Sequence, residues 1–407
     1  MAETALSQSR QRPSKSGVFM SSRNRLLVLA ISTPIIAFAF VGGYFGRAIA
    51  QDETYQHLRV FEDVVSLVLN NYVEPVDVRD AMGGAMRGLA DSLDPESAYL
   101  TPELVRSRES NDPGGPAEVG LDVTRQYYLR IVSARDGSPA AKAGIRAGDF
   151  IRAIDNRPTR DMSAYEGSRL LRGAVGSKVS LLVIRGNAAD PHMVDLVREQ
   201  VAGPELTTRM ANSTTGYIRV VQFSADSATR MKQAIDALAT LGASRYVIDL
   251  RGTARGDLDE GVAAARLFVK GGTLAIRLGR QDQREPIAAL PTDGVVAAPV
   301  ALLVDVGTAG AAEVFAAALD GNGRADTIGT NTIGRAARQR LVKLPDQSGL
   351  WLTNQRYLTP SGTPIHETGL VPDVIVELAE IEFGAMPPTP DETLQRAVEL
   401  LATRLAA

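Results

Sequence analysis

Residues 299–319 read Pro299-Val300-Ala301-Leu302-Leu303-Val304-Asp305-Val306-Gly307-Thr308-Ala309-Gly310-Ala311-Ala312-Glu313-Val314-Phe315-Ala316-Ala317-Ala318-Leu319. The opening run is apolar almost throughout and lacks the alternation of a strand with one wet face, so it is expected to be covered on both sides. A loop follows, and residues 311–319 are dominated by strong helix formers. Strand, loop and helix in succession make half of a βαβ unit. The rhythm extends upstream, with predicted strands at 217–223 and 245–250 and predicted helices at 225–241 and 257–269. Residues 205–380 are therefore expected to form a mixed α/β domain around a mostly parallel sheet. Residues 385–407 add a C-terminal amphipathic helix, over 391–405.

The chain upstream of this domain changes character twice. Residues 117–200 carry short alternating runs, such as Val119-Leu121-Val123 and Leu129-Ile131, separated by turn signals at Asp136-Gly137 and Asp155-Asn156-Arg157-Pro158. With a helix over 163–171 and a strand over 178–185, this is a small β-rich module. Residues 55–110 are helical by periodicity. Leu58, Phe61, Val64, Val65, Val68 and Leu69 form one apolar stripe, and a second helix over 77–92 stops before Asp94-Pro95. The stretch 107–116 reads as a linker.

Residues 26–45 are twenty positions without a charge, the length that crosses about 30 Å of hydrocarbon as a helix. The head before them, residues 1–25, holds Arg10, Arg12, Lys15, Arg23 and Arg25 against Glu3. This bias keeps the head cytoplasmic and predicts a single-pass anchor in the inner membrane, with the body on the periplasmic or extracytoplasmic side. Ala48-Ile49-Ala50 has the form of a signal cleavage site, the competing reading, although the apolar span exceeds the usual h-region of about 7–15 residues.

Composition narrows the chemistry. The 407 residues are 44% hydrophobic and 22% charged, an ordinary folded chain, and the net charge of −3 argues against nucleic acid as a partner. The absence of cysteine removes disulfides, thiolate catalysis and cysteine metal sites. The three histidines, His57, His192 and His366, are far apart in sequence, so no metal and no cofactor is expected. His57 is expected on a helix face, His192 in a loop, and Ser361 and His366 in a solvated turn. Asp305, Glu313 and Asp326 read as capping, turn or packing carboxylates, and Lys343 as a surface residue.

Five ordered pieces resemble the carboxy-terminal processing, or tail-specific, serine protease family. They are Ser92-Leu93-Asp94-Pro95 with Ser97-Ala98-Tyr99-Leu100; the run Gly137-Ser138-Pro139-Ala140-Ala141 through Gly148-Asp149; Gly216-Tyr217-Ile218 with Gln222-Phe223; Asp249-Leu250-Arg251; and Tyr357-Leu358-Thr359-Pro360-Ser361-Gly362 with Gly369-Leu370-Val371-Pro372-Asp373. The resemblance implies a PDZ-like domain over 117–200, a protease core over 205–380, and a Ser–Lys peptidase. In that family a serine attacks the peptide carbonyl, a lysine of lowered pKa takes its proton, and a glutamine four residues later orients the lysine.

This chain departs from the family at the decisive positions. Aligned on Gly307 and Glu313, the nucleophile position is Gly310, and the base position, 25 residues on, is Arg335, with Gln339 retained. Glycine has no nucleophile, and arginine stays protonated, with a pKa above about 12. The loop that shapes the oxyanion hole is altered to Gly252-Thr253-Ala254-Arg255-Gly256, while Ala311 keeps an amide at the expected place. The expected reading is a Ser–Lys site without its dyad. Thr308 and Thr332 are the hydroxyls that a rearranged site would have to use, and both fall where the family has non-nucleophilic hydroxyls.

In the PDZ-like part, Val119-Gly120-Leu121 suits a turn that holds a peptide carboxylate with backbone amides, while Glu118 beside it is expected to repel one. The expected role is binding of protein C-terminal tails, or partnership with an active protease relative. The alternatives are an active endopeptidase with a rearranged site and a structural subunit of an envelope complex, as a homo- or hetero-oligomer.

Overall fold

The computed structural model describes residues 55–186, 190–201, 203–377, 381–385 and 389–403. The expected anchor at 26–45 and the cleavage motif at 48–50 lie outside the described residues. Among those described, no helix is long and apolar enough to cross a membrane. The chain divides into two compact units, up to Ala81 and from Met82. The first contains a helix over residues 55–71. Its apolar stripe is exposed, with Leu58 at 56% and Val64 at 50%, so the periodicity marks a face that does not pack within its own unit.

Within the second unit, the central sheet runs in the order Leu206–Met210, Thr215–Val220, Arg245–Asp249, Val300–Val304, Ala325–Gly329, Val374–Ile375. Every neighbouring pair is parallel except the first. Val300–Val304 is buried at all five positions because both of its faces are covered. Leu302 and Val304 point toward helices Ser227–Thr240, Leu258–Ala265 and Ala311–Asp320, while Ala301 and Leu303 point toward Glu392–Thr403. Full burial of each such Val or Leu side chain is worth about 1.5–3 kcal/mol, which makes this strand the anchor of the domain.

A second, wholly antiparallel sheet was not expected. It joins Ala98–Leu100, Gly349–Leu358, Thr273–Leu278 and Arg284–Ala288 in that order, with Ala337–Lys343 also on Gly349–Leu358. The N-terminal helical segment therefore donates a strand to the core, with Ala98 opposite Trp351. The linker 107–116 is also partly helical, since Pro102–Glu109 forms a helix capped by the Thr101 hydroxyl.

The β-rich module is a sheet of Leu121–Gln126, Tyr128–Ala134, Phe150–Ile154, Lys178–Ile184 and His192–Val197, all antiparallel. Leu121–Gln126 is its edge strand and packs on helix Ala164–Leu170. His192 lies in a strand rather than a loop and stacks on Phe383, with ring centroids 4.3 Å apart.

Candidate active site

Three loops of the core are joined through two carboxylates, Asp305 and Glu313. The chain leaves strand Val300–Val304, passes Asp305 to Ala309 and enters helix Ala311–Asp320 through Gly310. Asp305 receives the Gly252 and Gly307 amides at 2.8 and 2.9 Å, which joins this loop to the one after Asp249. Glu313, fully buried in the first turn of the helix, accepts four hydrogen bonds. The Gly310 and Arg335 amides donate to Oε2 at 3.0 and 2.7 Å, and the Gly334 amide and Thr332 hydroxyl to Oε1 at 2.7 and 2.5 Å. Burial pushes the Glu313 carboxyl above its ordinary pKa, and the four donors act against that push. One side chain thus fixes positions 310 and 335 relative to each other.

Gly310 has φ 60° and ψ −119°, a conformation that favours glycine. A Cβ placed there would stand 3.8 Å from the Ala254 and Arg335 carbonyl oxygens and from the Leu258 side chain, ordinary contact distances. The site has room for a side chain that this sequence does not supply. The Ala311 amide is the first of the helix, a position with no intrahelical acceptor.

The Arg335 side chain reaches the Asp94–Ser97 turn. Its Nε lies 3.1 Å from Glu96 Oε2, with 31% of the Arg335 side chain exposed. Glu96 also accepts from the Thr124 hydroxyl at 2.6 Å, so the Arg335–Glu96 ion pair joins the loop at 335 to the N-terminal segment and the β-rich module. The Glu96 charge raises the arginine pKa above its already high ordinary value. Gln339 lies further along, in strand Ala337–Lys343, and its amide donates to the Thr353 hydroxyl at 3.2 Å.

Arg255 makes a second bridge, which sequence reasoning missed. Its Nε lies 3.0 and 2.9 Å from the two Asp122 oxygens, and its Nη atoms lie 2.8 and 3.0 Å from those of Glu118. Gly256 beside it is packed so closely on Phe223 that a Cβ would come within 2.6 Å of the Phe223 carbonyl oxygen. Glu118 is buried and also pairs with Arg172 at 2.6 Å and Arg135 at 3.6 Å. Burial alone would raise the Glu118 pKa, but Arg255, Arg172 and Arg135 together lower it. Glu118, expected to repel a carboxylate unless it points away, is held in ion pairs with three arginines.

Between those two acids lies Val119-Gly120-Leu121. Gly120 has φ 79°, and a Cβ would overlap Ser138 at 2.2 Å, so only glycine fits. The Gly120 carbonyl receives the Arg135 amide at 2.8 Å. The three residues line a cavity of about 240 Å³ together with Leu171, Arg172 and Arg255. The loop at 119–121 and the loop carrying Arg255 and Gly256 therefore share one space. Two arginines sit at its rim.

The remaining candidates have structural partners. Thr308 is buried, donates to the Leu250 carbonyl at 2.9 Å and accepts the Asp305 amide at 3.0 Å. Thr332 accepts the Leu370 amide at 2.8 Å while donating to Glu313. Ser361 shares hydroxyl contacts with Thr359 and Thr363 in an exposed turn. His366 was expected to be solvated with it, but is only 3% exposed, because the chain beyond the turn enters the core at Ile365. Lys343 pairs with Glu109. Among the described residues, no group of three or more acidic or histidine side chains could hold a metal ion.

An α/β core with a PDZ-like module and two loops held on Glu313 is the framework of a serine peptidase fold. Residues 214–376 match peptidase family S41, and residues 130–185 match a PDZ domain. The chain is 33% identical over 360 residues to a carboxyl-terminal-processing protease of Picosynechococcus sp., covering 86% of this chain and 85% of that protein. It is 31% identical over 333 residues to a carboxy-terminal-processing protease of Bartonella bacilliformis, covering 80% and 76%. A photosystem II D1 C-terminal processing protease superposes with a TM-score of 0.67 at 29% identity, covering 83% of this chain and 90% of that one. The chain belongs to the carboxyl-terminal processing protease family.

Proposed function

We propose that this chain is a catalytically silent member of its family, which binds protein tails or regulates an active relative. The observation that carries the reading is the pair at the two dyad positions: Gly310 offers no hydroxyl, and Arg335 is a permanent cation held on Glu96. A displaced nucleophile finds no support, since the Thr308 and Thr332 hydroxyls are both donated to buried acceptors.

Tail binding is supported by the cavity beside Val119-Gly120-Leu121. A peptide adding to edge strand Leu121–Gln126 would bring its carboxylate to this loop. Labelled peptides with an apolar last residue are expected to bind with micromolar affinity, about −8 kcal/mol, and to be recovered uncut. Arg255→Ala is expected to weaken binding about tenfold, because Glu118 and Asp122 then face the incoming carboxylate with less cover. Equal affinity for free and amidated tails, measured by fluorescence anisotropy, would sink this reading.

The proposal also puts the body outside the cytoplasmic membrane, tethered through residues 26–45, on the strength of the basic head and uncharged span. Alkaline phosphatase fused to the C-terminus is expected to be active and to stay with washed membranes. A soluble product beginning at Gln51 would remove the anchor. The exposed stripe Leu58, Phe61, Val64 and Val68 supports association with a second chain, of this or a related protein.

A further inference from the structure

A second cavity, of about 280 Å³, opens beside the Arg335–Glu96 pair. Its walls are the Pro95-Glu96 turn, residues 124–126 of the edge strand, Arg130, the loop Ile333-Gly334-Arg335, and the turn His366-Glu367. Three arginines and two glutamates line it. The two acids already have cations: Glu96 pairs with Arg335, and Glu367, at the exposed margin, lies 3.4 Å from Arg356. Arg125 has Asp91 at 2.9 Å, outside the cavity.

Arg130 has no acidic partner among the described residues. Its Nη1 donates to the Gln126 amide oxygen at 3.1 Å, and its Nε is buried without an acceptor, as is that of Arg125. Burial pulls the Arg130 pKa below its ordinary value, with no carboxylate nearby to offset this. Beside them, neither ring nitrogen of His366 has a hydrogen-bond partner. Burial also lowers the pKa of this imidazole, so the ring is neutral at pH 7 and presents one donor and one acceptor. Buried polar groups are rarely left unmatched, and several lining one cavity are matched together by a ligand or by water.

We propose that this cavity is a binding site for a small carboxylate, taken up by the guanidinium of Arg130, which has no acidic partner among the described residues, beside Arg125, with His366 meeting a second polar group of the ligand. Pro95 and Ile333 leave apolar wall for a short side chain. Two sources share this chemistry: the last residue of a peptide, and a free organic acid. The site is separate from the Val119-Gly120-Leu121 loop. The proposal stands whether or not the protein cleaves peptides.

Histidine is a clean reporter, since the chain has three. The full-length protein, labelled with ¹³C at the histidine ring and held in detergent, is titrated with N-acetylalanine, N-acetylalaninamide and succinate. The resonance lost in His366→Gln identifies the site. N-acetylalanine is expected to shift that resonance at millimolar concentration while His57 and His192 stay still, and the neutral amide is expected to do nothing. Arg130→Gln, whose side chain is not part of the core, is expected to weaken the effect at least tenfold while leaving the His366 resonance of the free protein folded-like. A response to succinate alone assigns the site to free organic acids, and a response to N-acetylalanine alone assigns it to peptide ends. An unmoved His366 resonance with every probe, equal responses to acid and amide, or an unchanged response in Arg130→Gln overturns the proposal.

Discussion

Purified full-length protein is expected to turn over neither casein nor tail peptides above the buffer rate. Removing a serine nucleophile alone typically costs about 10⁶ in kcat, and losing a second member of the same unit adds little. Residual transition-state binding in such sites leaves about 10³–10⁴ over water, but here Arg255, in the loop after Asp249, is held on Glu118 and Asp122. Reverting the dyad tests the geometry more finely. A Gly310→Ser side chain has ordinary contact space, at the cost of holding a serine at φ 60°. A lysine from Arg335→Lys, however, would meet Glu96, which accepts an ion pair at 3.1 Å in the native chain. An adjacent carboxylate raises a lysine pKa, opposite to the depression that a general base needs. The double variant is therefore expected to remain inactive, and peptidase activity is expected only when Glu96→Ala is added. Turnover by the unmodified protein that survives repurification and is abolished by Thr308→Val would end the silent-enzyme reading.

What could be read in the sequence follows from where its information is local. The parallel core was legible because strands buried on both faces are apolar without interruption, as Val300–Val304 is. The antiparallel sheet was not, because Ala337–Lys343 carries Arg338, Gln339, Arg340 and Lys343 on a largely wet surface, and its pattern does not separate strand from loop. Ala98–Leu100 was hidden for another reason. Three residues are too few for a period, and their partner is Gly349–Leu358, far along the chain. At the candidate site, positions 310 and 335 could be found by spacing against the family pattern. Their new partners could not. Nothing in Asp94-Pro95-Glu96-Ser97 announces an ion pair with Arg335, and nothing near Glu118 or Asp122 announces Arg255. The exposure expected for His366 failed similarly, since the exposed Thr-Pro-Ser-Gly turn gives no sign that the chain enters the core again at Ile365 and His366.

Glu313 is expected to be the most costly residue of the site to replace, although it lies at neither dyad position. Glu313→Ala would leave the amides of Gly310, Gly334 and Arg335 and the Thr332 hydroxyl without their acceptor in a fully buried place. Each unsatisfied buried donor costs about 1–3 kcal/mol. Allowing for relaxation and some water entry, the loss is expected to exceed about 4 kcal/mol, read as a fall in the urea midpoint at an unchanged slope. Glu313→Gln keeps the shape but puts an NH₂ group against two of the donors, so it is expected to fall between the alanine variant and the native chain. Gln339→Ala, which removes one half-buried side-chain bond to Thr353, is expected to cost less than about 1 kcal/mol. The comparison separates a carboxylate that holds loops together from a side chain that makes one replaceable bond. If Glu313→Ala were as mild as Gln339→Ala, the carboxylate would not be holding the loops together, and the ordered geometry at Gly310 and Arg335 would need another cause. A large cost would mean that this carboxylate serves the fold, because it ties the loops at 310 and 332–335 to helix Ala311–Asp320, which packs in the core.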